Sequence, residues 1–257
     1  FVILFILIAI TAPVISPYDP LKTDFQSALK APSFVHLFGT DHFGRDVFSR
    51  IIYGARTSLL IGVFSVAIAA VGGILLGLVS GFFSGWIDSL IMRIMDVMLT
   101  FPRILLSILL IAIIGSGMGN IMLAVGLFAI PTYARLVRSM VLALRETEFV
   151  ESARAVGGSN WRVMFQHIFP GTIGPVVVQS TFLTATSIRV ASGLSFLGIG
   201  VPAPTPEWGS MLADARSYMA IAPHLLTIPG LSLMIVVLSF NLLGDGLRDA
   251  LDPRQRK

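Results

Sequence analysis

The chain has no cysteine among its 257 residues. Disulfide frameworks and cysteine-based zinc sites are thereby excluded. Charge is almost as scarce: 12% of residues are Asp, Glu, Lys or Arg, against 55% hydrophobic. A soluble domain of ordinary composition carries about twice that charged fraction. Lysine occurs only as Lys22, Lys30 and Lys257, and none follows a glycine. The phosphate-cradling loop that ends in Gly-Lys-Ser/Thr is therefore missing, and the chain is no P-loop ATPase. Its histidines, His36, His42, His167 and His224, fall in polar segments or at the ends of apolar runs. That leaves no Ser–His pair inside neighbouring spans, the arrangement that serine hydrolysis within a membrane requires. No catalytic residue is expected, and the chain is not read as an enzyme.

What is present is long apolar sequence. Several stretches approach the ~20 residues that cross a bilayer as a helix, and mean hydropathy is +0.86. The expected fold is all-α, a polytopic membrane protein with six transmembrane helices. Residues 1–15 form the first, short for a span. With no starting Met and no basic lead-in, it is read as the end of a truncated transmembrane helix rather than a signal peptide. The others are expected over 57–83, 101–115, 121–144, 172–200 and 221–243. Gly73, Gly77 and Gly81 recur every fourth residue in the second span, a smooth groove of the kind by which helices approach closely in lipid. Pro131 and Pro229 lie inside the fourth and sixth.

Between the first two spans, residues 16–56 are polar and mixed in charge. In their second half Val47 pairs with Ile51 and Phe48 with Ile52, while Asp46 and Arg50 sit four apart on the other face. A surface helix parallel to the membrane is expected there. His36, His42, Asp41 and Asp46 match no ligand spacing that identifies a metal site, so no metal is expected. Past the second span, Arg93 and Asp96 stand three apart and are expected to pair on one helix face.

Six spans place both ends on one side. Of the eighteen basic residues, Arg93, Arg103, Arg135, Arg138, Arg145, Arg154, Arg162, Arg248, Arg254, Arg256 and Lys257 fall on the side of the termini. Lys22, Lys30, Arg45, Arg50, Arg56 and Arg216 fall on the other. The excess makes the first side cytoplasmic. The net charge of +4 is thus read as orientation in a membrane and not as nucleic-acid binding.

The longest strongly polar passage after the first sixty residues is 146–170. Its pattern is helix, Gly157-Gly158 break, helix. Thr147 is a plausible N-cap, Glu148 and Glu151 occupy the first turns and Arg154 the last, the order that suits a helix dipole. Phe149, Ala153 and Val156 mark one apolar face. Ser159 is placed to cap a second helix striped by Trp161, Met164, Phe165, Ile168 and Phe169, which Pro170 is expected to break. By itself this pattern fits a cytoplasmic loop lying on the membrane surface.

Arg189 is the one charge well inside a span. In lipid it would cost at least ~2.5 kcal/mol, so it should face a water-filled path, a partner subunit or an acidic group. With Ser192 and Ser195 it is a candidate for the lining of a path, as an anchor for a substrate carboxylate. The alternative is a structural pairing in a subunit interface. The fifth and sixth spans carry no Asp or Glu, which leaves an ion-coupled carrier without its usual acidic groups there.

Glu151-Ser152-Ala153, three residues, Gly157, nine residues and then His167-Ile168-Phe169-Pro170 resemble the "EAA" loop of ABC-importer permeases. Ser152, His167 and Phe169 depart mildly from the family pattern. FGTDHFGRDVFSRIIYGARTSL, DSLIMRIMDVMLTFPRILLSI, GLSFLGIGVPAPTPEWGSML and NLLGDGLRDALDPR are similar to blocks of one branch, the second permease subunit of the dipeptide/oligopeptide/nickel importers. The resemblance covers nearly the whole chain. It implies a type I ABC importer permease, in the cytoplasmic membrane of a bacterium or archaeon. Its partners would be a homologous second permease, one or two ABC ATPase subunits, an extracytoplasmic substrate-binding protein and membrane lipid. ATP and Mg²⁺ would sit on the ATPase subunits and no cofactor on this chain. Residues 146–170 would be the coupling loop, with Glu151, Ser152, Ala153, Arg154 and Gly157 meeting the ATPase. Short peptides are the expected cargo, with nickel chelates or glutathione as close alternatives. A stand-alone ion-coupled carrier or channel is the alternative of another class. Many relatives carry an acid just before the LSF stretch, where this chain has Ala191, and that departure leaves the cargo open.

Overall fold

The computed structural model describes residues 1–251. Arg254, Arg256 and Lys257, three of the residues on which the orientation argument rests, lie outside them. All named elements are helical: α1 (Val2–Ile15), α2 (Val47–Phe83), α3 (Gly85–Thr100), α4 (Arg103–Ile114), α5 (Met118–Leu127), α6 (Ile130–Leu144), α7 (Glu148–Ala155), α8 (Asn160–Arg162), α9 (Phe169–Phe196), α10 (Trp208–Ala215) and α11 (His224–Leu251).

By length and composition four helical runs suffice to cross a membrane, or five if α3 and α4 are counted as one span bent by 92°. The expected count of six would also need α1. Its 14 residues reach only about 21 Å at 1.5 Å per residue, short of a ~30 Å hydrocarbon core.

The spine is α2. Its 37 residues extend about 55 Å, more than a bilayer core requires. The separate surface helix expected in the second half of 16–56 does not form; residues 47–56 are the first turns of α2. The reason lies at its start. Asp46 accepts from Ser49 N at 2.8 Å and Ser49 Oγ at 2.7 Å, which caps the helix, and nothing after it breaks the helix before Ser84. Asp46 and Arg50, four apart in sequence, take other partners. His36 takes Asp46 at 2.8 Å, while Arg50 lies 3.5 Å from Asp41 and donates to Pro20 O at 3.2 Å. These bonds tie the polar segment onto the start of α2. No cluster of three or more His, Asp or Glu placed to hold a metal occurs among the described residues.

The glycine stripe performs as its spacing predicts. The contact of α2 with α6 is the most extensive in the molecule. A Cβ on Gly73 would stand 2.4 Å from that of Tyr133, one on Gly77 would meet Ala134 O at 2.6 Å, and one on Gly81 would meet Val141 Cβ at 2.7 Å. The two backbones therefore touch, and small residues alone permit that. The fourth span is broken into α5 and α6, with Pro131 in the first turn of α6, where its missing N–H costs nothing. Pro229 lies within α11.

The expected Arg93–Asp96 pair does not form. Asp96 is bound by Arg135 at 2.5 Å, and Asp88 by Arg138 at 2.5 and 2.6 Å. Both pairs lash α3 to α6, because α3 lies along α6.

We expect Gly77→Ala to cost about 1–3 kcal/mol, the range for overpacking a close contact. Gly119→Ala, where a Cβ meets nothing within 4 Å, should be near neutral. Thermal unfolding of the two variants in detergent checks the contrast.

Candidate functional site: the polar loop and the broken span

The loop over 146–170 is built as two short helices around a glycine break. α7 begins after Thr147, whose backbone is extended at φ −87° and ψ 148° but whose side chain makes no cap. The hydroxyl donates backwards to Leu144 O instead. Gly157 has φ +87°, a left-handed conformation that costs other residues about 1–2 kcal/mol. At Gly158 a Cβ would meet Ala153 O at 2.6 Å, so both glycines of the break are required. Ser159 Oγ then accepts from Arg162 N at 3.4 Å.

Pro170 does not end this helix as expected. The chain runs helically from Asn160 to Phe196. A π turn over Val163–Ile168 precedes the proline in the first turn of α9. The wider turn relieves the clash that a proline ring makes with the carbonyl four residues earlier.

The apolar faces of the loop divide between inside and outside. Val150, Val163, Met164 and Ile168 are buried in one cluster with Leu78 and Phe82 of α2 and Val141 of α6. Val156 is 89% exposed, Trp161 60% and Phe149 50%. Trp161 and Phe165 stack at 5.8 Å, 10° from parallel. Glu148, Glu151, Arg154 and Arg162 surround these groups, all exposed. The expected stripe of the second helix is thus split, with Met164 and Ile168 inward and Trp161 and Phe165 outward. A cluster of exposed apolar groups with a charged rim marks an interaction surface.

The loop is fastened to the spans behind it. Arg145 donates to Gly81 O at 3.1 Å and to Ser84 Oγ. The Arg154 guanidinium lies 5.2 Å from the centre of the Phe82 ring. Of the five residues assigned to coupling, Glu151, Ser152, Arg154 and Gly157 are exposed and Ala153 is half-buried; the Ser152 hydroxyl is held by Glu148 O at 2.8 Å.

The three residues assigned to a path do not share an environment. Arg189 is exposed on α9. Ser192 and Ser195 are buried, and their hydroxyls are engaged. Ser192 donates to Glu207 Oε1 at 3.0 Å, and Ser195 Oγ accepts from Val201 N at 3.2 Å. Glu207 is 1% exposed. It also accepts from Gly209 N and Ser210 N at 2.9 and 2.8 Å, capping α10. Sequence reasoning passed over it, because Glu is not a favoured N-cap and VPAPTPEWG reads as an ordinary loop.

Arg103 was expected at the start of the third span, on the side of the termini. It lies at the break between α3 and α4, donates to Thr132 Oγ1 at 3.2 Å and shares a small cleft with Thr186 and Val190 of α9. The Phe101-Pro102 dipeptide was the available signal, since a residue before proline is pushed out of helical geometry.

Comparisons with known proteins add the family. Residues 73–257 match the binding-protein-dependent transport system inner membrane component family. The chain belongs to this family. It is 49% identical over 252 residues to a dipeptide transport system permease protein of Alkalihalophilus pseudofirmus, covering 98% of this chain and 83% of that one. It is 52% identical over 255 residues to a glutathione transport system permease protein of Escherichia coli O6:K15:H31, covering 99% and 84%. Among solved structures, an inward-facing form of the MetNI methionine ABC transporter superposes with a TM-score of 0.67 at 17% identity, over 80% of this chain and 97% of that one. An amino acid ABC transporter crystallised with histidines gives 0.57 at 15%, over 79% and 95%. The all-helical fold is therefore that of ABC-importer permeases, and this family member is a multi-pass inner membrane protein and not an enzyme.

Glu207→Ala should cost about 1–3 kcal/mol through the buried donors it leaves unpaired. Glu207→Gln, which keeps one of the two accepting oxygens, should cost less. Unfolding in detergent ranks the two.

Proposed function

We propose that this chain is one of two paired membrane subunits of an ATP-driven type I importer for short peptides. It crosses the membrane six times, counting α1 and the bent α3–α4 pair, with both ends and the 146–170 loop in the cytoplasm. An extracytoplasmic binding protein delivers the cargo. One or two ATPase subunits bind ATP and Mg²⁺, and a homologous permease completes the path. Support for peptide cargo comes from the relatives, whose names specify dipeptide and glutathione, itself a short peptide. Nickel chelates are the remaining alternative within the branch.

The observation that carries the reading is the two-sided loop. Outward, Phe149, Val156 and Trp161 with Glu151 and Arg154 form a surface suited to a groove on another protein. Inward, Val150, Val163, Met164 and Ile168 are buried against the ends of α2 and α6. A force applied to the outer side reaches both helices, because close-packed interiors transmit displacement rather than absorb it. Closure of the ATPase pair on ATP would thus move the loop and the spans behind it together, opening the path outward, and hydrolysis would return it inward. Gly157 sets the angle between the loop's two helices.

Trp161→Ala and Glu151→Arg should each weaken copurification of the ATPase at least ten-fold, the loss of one interface anchor being worth about 2 kcal/mol or more. Gly157→Ala should lower ATP-driven uptake in liposomes more than it lowers ATP hydrolysis. Transport by this chain alone, with no ATPase present, would identify a stand-alone carrier or channel and overturn the reading.

A further inference from the structure

The break between α3 and α4 sits where a membrane protein can least tolerate one. Arg103 reaches Thr132, near the middle of the Met118–Leu144 run. It also shares a cleft with Thr186 and Val190, well inside the Asn160–Phe196 run. Next to it, Ile104 Cδ1 lies 3.7 Å from the position of a Cβ on Gly193. The start of α4 therefore lies at mid-depth. Phe101 and Pro102, which carry the non-helical backbone, are exposed. Irregular backbone at membrane depth persists only where it is buried in protein or lines water, and this chain does not bury it.

One face of α9 looks onto the same place. Phe182, Thr186, Arg189, Val190 and Gly193 follow one another at helical spacing. None of them is buried, and Arg189 is exposed. Among the described residues the ion pairs of arginines join Arg45, Arg50, Arg135, Arg138 and Arg145 to carboxylates. Arg103 and Arg189 have no such partner. Arg103, in the cleft with Thr186 and Val190, and Arg189, exposed on the same face of α9, thus stand along one incompletely covered stripe, with no carboxylate of the described residues paired to either. A forked guanidinium matches a carboxylate through paired N–H donors.

We propose that Arg103 and Arg189 form an anion site in the transport path that receives the carboxylate of the cargo, so that the importer favours peptides with a free C-terminus. This rests on the importer reading above. The alternative occupant, a carboxylate of the second permease, is an outcome of the test.

The test uses the complete importer in liposomes with its binding protein. Cargo probes are alanyl-alanine and glutathione, each beside its amidated form. Assembly and ATP hydrolysis are measured on the same preparations. Arg103→Gln and Arg189→Gln should each reduce uptake of the free acids at least ten-fold while leaving the amides within two-fold. Assembly and basal hydrolysis should not change, and Arg189→Lys should recover most of the uptake. If the binding protein does not deliver the amides, the contrast between Arg189→Lys and Arg189→Gln at equal hydrolysis decides. Equal losses for acid and amide, or undiminished uptake in Arg189→Gln, overturn the proposal. Failure of Arg189→Gln to assemble places the group in the subunit interface and overturns it too. A wild-type complex with no ATP-dependent uptake would instead refute the importer reading itself.

Discussion

The structure depends on how closely α2 approaches α6. Hydrophobic burial does not hold helices together in lipid, whose tails are as apolar as leucine. What remains is dispersion between surfaces that fit, and dispersion falls away over an ångström or less. Gly73, Gly77 and Gly81 bring the α6 backbone within reach. Val137 and Val141 then fill the seam at the end nearest the polar loop. The Asp88–Arg138 and Asp96–Arg135 pairs add α3 to the same assembly. Three helices are thereby fixed at the end from which the polar loop projects.

That fixture gives the loop its meaning. A short amphipathic helix free on a membrane surface would transmit nothing. Here the inward side chains of α7 and of the π turn belong to the same buried cluster as the ends of α2 and α6, and Arg145 holds the exit of α6 to Gly81. The outward side keeps its aromatic and charged groups uncovered. One segment is anchored on one side and open on the other, which is the mechanical requirement for passing motion between proteins.

At the break between α3 and α4 the logic reverses, and loose fit matters. The 92° bend between α3 and α4 opens the backbone where the spans are otherwise continuous. It places Arg103 beside the outer face of α9, which also carries Arg189. Ser192 and Ser195, on the opposite side of α9, are committed to Glu207 and to the Val201 amide. One helix thus separates a satisfied polar seam, which holds the α9–α10 corner together, from an open stripe.

Much of this was legible in the residues. Composition and apolar runs determined an all-helical membrane protein. The fourfold glycine spacing identified the face of the most extensive helix contact, and the Gly157-Gly158 break with Ser159 after it placed the bend of the loop. Each of these is a local property, set by the backbone freedom or side-chain volume of a few consecutive residues. Tertiary structure alone decided the rest. Asp96 paired with Arg135 rather than Arg93 because α3 lies against α6. Met164 turned inward while Trp161 stayed out because a π turn rotated the stripe. Arg103, expected at the start of a span, lies against Thr132 of α6 because α3 and α4 meet in a bend. Those outcomes turn on which helix lies beside which, and a sequence of similar apolar runs does not encode that in any single stretch.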